Sequence, residues 1–199
     1  MNFLAHCVLA APGSGWIAGA FLGDHLRGSA WQELPSELGN GVLLHRAIDT
    51  ACDQHEAFLA AKRALPEGLR RFAPIALDVY FDHVLAREFS AFSKRPLELF
   101  TRDCYAALEE HWTHLPTTLR RYYTATAPQN LLSQYTDVAT VGRVLGGISR
   151  RFRRANPLAE MLPVLSARDG ILEDCFRRLM PDLMTMAKDR RVSLTNDLT

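Results

Sequence analysis

Apolar residues return every three or four positions along almost the whole of this 199-residue chain. Nowhere do Val, Ile and Thr alternate as a half-buried strand requires. That period of about 3.6 residues sets the fold class as all-α, a helical bundle. Helices are predicted near 2–10, 14–27, 36–63, 67–92, 96–115, 117–125, 137–153 and 166–190. Breakers separate them. "APGSG" follows the first, "ELPSELG" precedes the third with Ser36 as its N-cap, and "LPEG" precedes the fourth, which Pro74 should kink or restart. No repeat, low-complexity tract or linker interrupts the pattern, so residues 1–199 read as a single domain long enough to enclose a sizeable core.

The same periodicity shows an oddity. "IALDVYFDHVL" (75–85) places Asp78 and Asp82 four apart, on a face continued by Ile75, Phe81, Leu85 and Phe89, with His83 beside them. In the first helix His6 shares the face of Phe3, Leu9 and Ala10, and in the second Asp24 shares that of Ile17, Ala20 and Phe21. In the third, His45 and Asp49 interrupt Leu38, Val42, Ile48 and Cys52. A lone His on an apolar face is more often a satisfied core histidine than a ligand. Four helices with the same interruption are harder to explain so. Packed together, those faces would gather several carboxylates and imidazoles, and such a group repels itself unless a cation neutralises it.

Mixed carboxylate and imidazole donors suit Mn²⁺, Fe²⁺, Mg²⁺ or Zn²⁺, and the absence of a CxxC argues against a structural zinc site. A dication on helices activates water and screens a phosphoryl centre, so hydrolysis of a phosphate ester is the expected chemistry. The expected ligands are His6, Asp24, Asp78 and Asp82, with His45 as a further candidate and Asp49 orienting His45. His83 is the candidate proton donor to the leaving group. Arg46 and Arg27 are candidates to stabilise the transition state, although each is equally readable as a surface or ion-pairing arginine. Competing chemistries leave no trace: there is no GxSxG, no Gly-rich phosphate loop and no Cys/His nucleophile spacing.

Composition bounds the setting. The formal net charge is +1, but residues 1–100 hold 9 Lys/Arg against 11 Asp/Glu and residues 101–199 hold 14 against 11. A basic surface is therefore expected on the second half. Four dispersed cysteines without a CxxC read as core thiols in a reducing compartment. The opening "MNFLAHCVLAA" has no basic n-region and is interrupted by His6, and no apolar run reaches the roughly 20 residues of a membrane span. A cytoplasmic protein without membrane attachment is expected.

With those residues in place, the chain resembles the acyl carrier protein phosphodiesterases, also called acyl carrier protein hydrolyases. "MNFLAH" (1–6), "GDHLRG" (23–28), "LHRAID" (44–49), "APIALDVYFDHVLAREFS" (73–90) and "VLGGISRR" (144–151) resemble that family's successive motifs in order and spacing. The resemblance implies a Mn²⁺-dependent hydrolysis that removes the 4′-phosphopantetheine arm from holo-acyl carrier protein, leaving apo-protein. It also implies a divergent relative of the all-helical HD phosphohydrolases. The chain departs from the usual HD pattern, since it has no His-Asp dipeptide and carries the reverse order at Asp24-His25 and Asp82-His83. The ligand set of ordinary HD enzymes therefore does not transfer.

An acidic carrier protein calls for a positive surface. "RVLGGISRRFRR" (143–154) offers Arg143, Arg150, Arg151, Arg153 and Arg154 with no acid among them, although a solvated helix face would read the same way. Two rivals stand beside this reading. One is a metallophosphohydrolase of the same build acting on a nucleotide or small phosphodiester. The other is a non-catalytic helical module that grips acidic proteins or RNA, the RNA version being weakened because Phe152 is the sole aromatic within the basic segment. No nucleic-acid partner is expected, and the oligomeric state is not readable.

Overall fold

Two of the predicted helices have no polar face to give to water. α1 (Phe3–Ala10) and α2 (Ser14–Leu22) are apolar nearly all round, and such helices must be enclosed by others. The computed structural model, which describes residues 2–196, encloses them. α2 lies against α3 (Ser36–Gln54) on one side and α7 (Leu97–Glu110) on the other. α1 packs on α2 and α3, and also on α5 (Ala73–Arg87) and the long α11 (Asp169–Asn196). α4 (Glu56–Ala64), the one-turn α6 (Phe89–Phe92), α8 (Thr117–Thr126), α9 (Val138–Ser149) and the short α10 (Leu162–Ser166) complete the shell. The described residues contain no strand, and a continuous apolar core runs through α1, α2, α3, α5 and α11. No helix among them is long and apolar enough to cross a membrane.

Boundaries differ from the sequence expectation where a side chain competes for the backbone. The helix expected over 36–63 is two helices. His55 between them is extended (φ −70°, ψ 133°), its Nδ1 accepts from the Ala57 N–H, and its Nε2 meets Asp182 of α11 at 3.0 Å. Ser36 is the first helical residue and not the cap, because Pro35 occupies that position. Pro74 restarts the helix, as one of its two expected effects, and lies in the first turn of α5. The helix expected over 137–153 stops at Ser149, whose carbonyl accepts from the Asn156 side chain, so Arg151, Arg153 and Arg154 lie on irregular chain. Regular helix also ends at Leu22 and not near 27. One further turn, closed by the His25 and Leu26 N–H groups on the Leu22 carbonyl, redirects the chain.

Glycine sets the closest packing in the molecule. A Cβ on Gly19 would stand 2.4 Å from the Leu38 carbonyl oxygen and 2.7 Å from the Gly41 Cα. One on Gly41 would stand 2.6 Å from the Trp16 carbonyl oxygen. The α2 and α3 backbones therefore touch, which only residues without side chains permit. That contact brings the turn after α2 against the middle of α3.

Candidate metal centre

The α2–α3 contact delivers Asp24, just past α2, to His45 and Asp49 on α3. Gly23 makes the last step feasible, because a Cβ there would overlap the His45 ring at 2.2 Å from Cγ. His45 and Asp49, four apart, share one face of α3, and their Nε2 and Oδ2 atoms lie 3.0 Å apart. The other nitrogen, Nδ1, sits 2.7 Å from the Ala20 carbonyl oxygen and donates to it, which leaves Nε2 pointing into the carboxylates. Asp24 Oδ1 stands 3.4 Å from the same Nε2. From α1, the fully buried His6 brings Nε2 to 3.0 Å from Asp49 Oδ1 and stacks on the His45 ring at 3.9 Å. Asp49 thus bridges two imidazoles from two helices.

The electrostatics show a strained accommodation. Burial alone would lower the His45 pKa, yet its bonds to Asp24 and Asp49 raise it to about 9. His6 goes the other way, held near 4 by burial and by the neighbouring His45 charge. Burial tends to raise the Asp49 carboxyl, but the bonds from His45 and His6 hold it far below the usual carboxylate range. Asp24 is likewise held low by His45, against its own burial. Both carboxylates thus share His45 as a partner. Meanwhile His6 Nδ1 is buried with no hydrogen-bond partner among the described residues. Donor atoms of His6, His45 and Asp49 lie within 4.8 Å of one another, the spread that one small dication spans. The residues fit a divalent ion: mixed N and O donors, an orphaned imidazole nitrogen, and an ion pair in which a proton does the work of a cation.

Of the expected ligands, the structure gathers His6, Asp24 and His45, and it adds Asp49, which the sequence suggested only as an orienting group. Asp78 is half-buried on α5, where burial, and then the charges of Asp49 and Asp53, push its carboxyl upward. Asp82 faces elsewhere. Its two oxygens accept the Leu4 and Ala5 N–H groups at 2.9 and 3.0 Å, capping the buried N-terminus of α1, where Asn2 offers no side-chain cap. Burial pushes its carboxyl up to about 7. His83 also lies apart from the group. Its Nδ1 donates to the Tyr135 carbonyl at 2.6 Å, and it lines a separate cavity of about 430 Å³ with Tyr80, Arg87, Ser166 and Asp169.

The arginines divide as well. Arg46 Nη1 donates to the Gly28 carbonyl at 2.7 Å and Nη2 to the Leu26 carbonyl at 2.9 Å, so its guanidinium grips the turn that carries Asp24. Arg27, between those carbonyls, is exposed. Sequence reasoning passed over His25, whose Nδ1 pairs with Thr118 Oγ1 of α8 at 2.8 Å. Burial, and then the Arg151 charge, hold its pKa below the ordinary value against the pull of Asp24. Arg143, Arg150, Arg151, Arg153 and Arg154 are all exposed, and Arg143 bonds Thr140 and Gln134.

The fold and this cluster define an all-helical protein with an imidazole–carboxylate centre between its innermost helices. The chain belongs to the acyl carrier protein phosphodiesterase family, whose model matches residues 1–183. It is similar to the acyl carrier protein phosphodiesterase of Escherichia coli O6:H1, 34% identical over 191 residues that cover 94% of this chain and 97% of the relative. The like-named proteins of Serratia proteamaculans and Enterobacter sp. are 31% and 30% identical, each over 96% of this chain and 100% of the relative. No solved structure matches the chain, so kinship with HD phosphohydrolases stands on the sequence resemblance alone.

Proposed function

We propose that this protein hydrolyses the phosphodiester that joins 4′-phosphopantetheine to a serine of holo-acyl carrier protein, using a divalent cation, Mn²⁺ by preference. Family membership supports the substrate, and the His6–His45–Asp49 group supports the cation. The observation that carries the reading is the placement of His45 Nε2 against two carboxylates, with His6 Nε2 on the same Asp49. A cation at that point would bind His6, His45 and Asp49, with Asp24 closing the set from the rim. Such an ion supplies activated water and screens the phosphoryl charge.

The chain's own residues do the rest. The Ala20 carbonyl fixes the His45 ring, and Asp49 holds both imidazoles in register. His6 keeps the inner side dry, being fully buried. Asp24, with its side chain 53% exposed, marks the open side from which a phosphodiester can approach. Arg27 on that side is available to a phosphoryl oxygen. Water oxygen ends on phosphorus, the phosphorus–serine oxygen bond breaks, and the serine oxygen takes a proton. The exposed arginines 150, 151, 153 and 154 receive the acidic carrier.

Incubating purified protein with holo-carrier protein and a panel of divalent ions, read by mass loss of the prosthetic group, tests the proposal. Release that depends on Mn²⁺ and vanishes with chelation is the expected result. Hydrolysis of free nucleotides in preference to the carrier protein would overturn the substrate. Turning Arg150, Arg151 and Arg154 to Glu should raise KM for the carrier and flatten its salt dependence, and an unaltered KM would remove the docking surface.

A further inference from the structure

Arg46 follows His45 directly, and from sequence it reads as a phosphate-binding group. Its contacts give it other work. We propose that Arg46 is a positioning residue, holding the turn 23–29 so that Asp24 faces His45. The inference rests on the reading of the cluster as a divalent-cation centre.

Asp24 lies beyond the end of α2, its side chain is 53% exposed, and its contact with His45 Nε2 is long at 3.4 Å. Its position therefore depends on the backbone of the turn. That backbone is held from two sides. On one, the Arg46 fork spans the Leu26 and Gly28 carbonyls, using both terminal nitrogens at 2.9 and 2.7 Å. On the other, His25 Nδ1 pairs with Thr118 Oγ1 at 2.8 Å. Gly28 has φ +57° with nothing within 4 Å of a would-be Cβ, so conformation and not space calls for glycine there. A planar guanidinium bonded to two carbonyls fixes distance and angle together, which a lysine ammonium at one carbonyl does not. One N–H of each terminal nitrogen is thereby committed to the turn, so the end-on fork is occupied by backbone and not by phosphate.

Titrating Mn²⁺ into the full-length protein, with free ion read by electron paramagnetic resonance, tests this on wild type, Arg46→Met, Arg46→Lys, Asp24→Asn and the Arg46→Met/Asp24→Asn double variant. Thermal melts run alongside. Arg46→Met should bind Mn²⁺ about 10- to 100-fold more weakly, as loss of an orienting partner does, with Arg46→Lys between it and wild type. The double variant should bind within about twofold of Asp24→Asn, because the two residues act through one contact. At saturating Mn²⁺, turnover of holo-carrier protein by Arg46→Met should return toward wild type. Unchanged Mn²⁺ affinity in Arg46→Met, or a loss that adds in full to that of Asp24→Asn, overturns the inference. So does a depressed kcat at saturating metal with normal affinity, which would place Arg46 on the phosphoryl group. If Arg46→Met does not fold, Arg46→Lys carries the same comparisons. Wild type that takes up no Mn²⁺ would sink the cation reading itself, and is recognised because every variant then reads zero.

Discussion

Two buried polar regions of this molecule look alike in sequence and differ in one respect. On α5, three polar groups have partners outside the cluster. Asp82 takes two backbone N–H groups, His83 gives its Nδ1 proton to the Tyr135 carbonyl, and the Tyr80 hydroxyl donates to Asp169. Between α1, α2 and α3, His45 Nε2 faces both Asp24 and Asp49, Asp49 also meets His6 Nε2, and the buried His6 Nδ1 has no hydrogen-bond partner among the described residues. A buried polar side chain is thus a weak pointer to function until its partners are counted. Only where the count fails to close does the interior call for something the chain does not supply.

The largest expected effect breaks or keeps that contrast directly. His45→Ala or Asp49→Ala should abolish stoichiometric Mn²⁺ binding and lower turnover about a thousandfold, several kcal/mol of transition-state stabilisation. His83→Ala should leave metal stoichiometry near that of wild type. Elemental analysis of the purified variants decides between them, and equal metal loss on both sides would erase the distinction. Next in size is Gly23→Ala. The added methyl would stand 2.2 Å from His45 Cγ, so the ring must move by about 1 Å or more, enough to cost about 100-fold in turnover. The thermal midpoint should move far less than turnover, and a proportionate fall in both would mean that Gly23 serves packing alone.

These expectations also show what could be read from sequence. Helicity and the polar interruptions were legible because both rest on spacing within single helices: His45 and Asp49 share a face by arithmetic alone. Cluster membership was not, since it depends on how helices turn toward one another. Asp78 and Asp82 look equivalent on α5, but Asp82 lies under the first turn of α1. One clue was present. α1 opens on "NFLA", with no acid in its first turn, and a buried helix start needs an acceptor from elsewhere. A second clue was the run Gly15, Gly19, Gly23 at four-residue intervals, one small face along α2, which meets Gly41 of α3. The junction at His55 had no such sign, because its ring caps α4 only once Asp182 is near.

Asp82→Ala sharpens the other side of the comparison. Removing that carboxylate leaves the Leu4 and Ala5 N–H groups buried without acceptors, at a cost of about 2 kcal/mol in folding stability. Urea denaturation should show the loss as a lower midpoint with an unchanged slope. Metal stoichiometry in the folded protein should stay near one ion per chain. Loss of metal without loss of stability would return Asp82 to the ligand set.

The smallest effect concerns acid, at the tie between α5 and α11. Asp169 accepts from the Tyr80 hydroxyl at 2.8 Å and from Arg87 at 2.9 Å. Burial would raise its carboxyl, but these donors hold it below the ordinary value. A carboxylate whose pKa is lower folded than unfolded adds stability that is fully present above about pH 4 and disappears as pH falls through the folded value. The pair is more than a third exposed, so after solvent screening its worth is about 0.5 kcal/mol or less. Wild type and Asp169→Asn should therefore differ slightly in urea midpoint at pH 6 and converge toward pH 3. If the gap instead widens as acid is added, Asp169 is not held charged by its partners. The α5 network would then be no better satisfied than the cluster on α3.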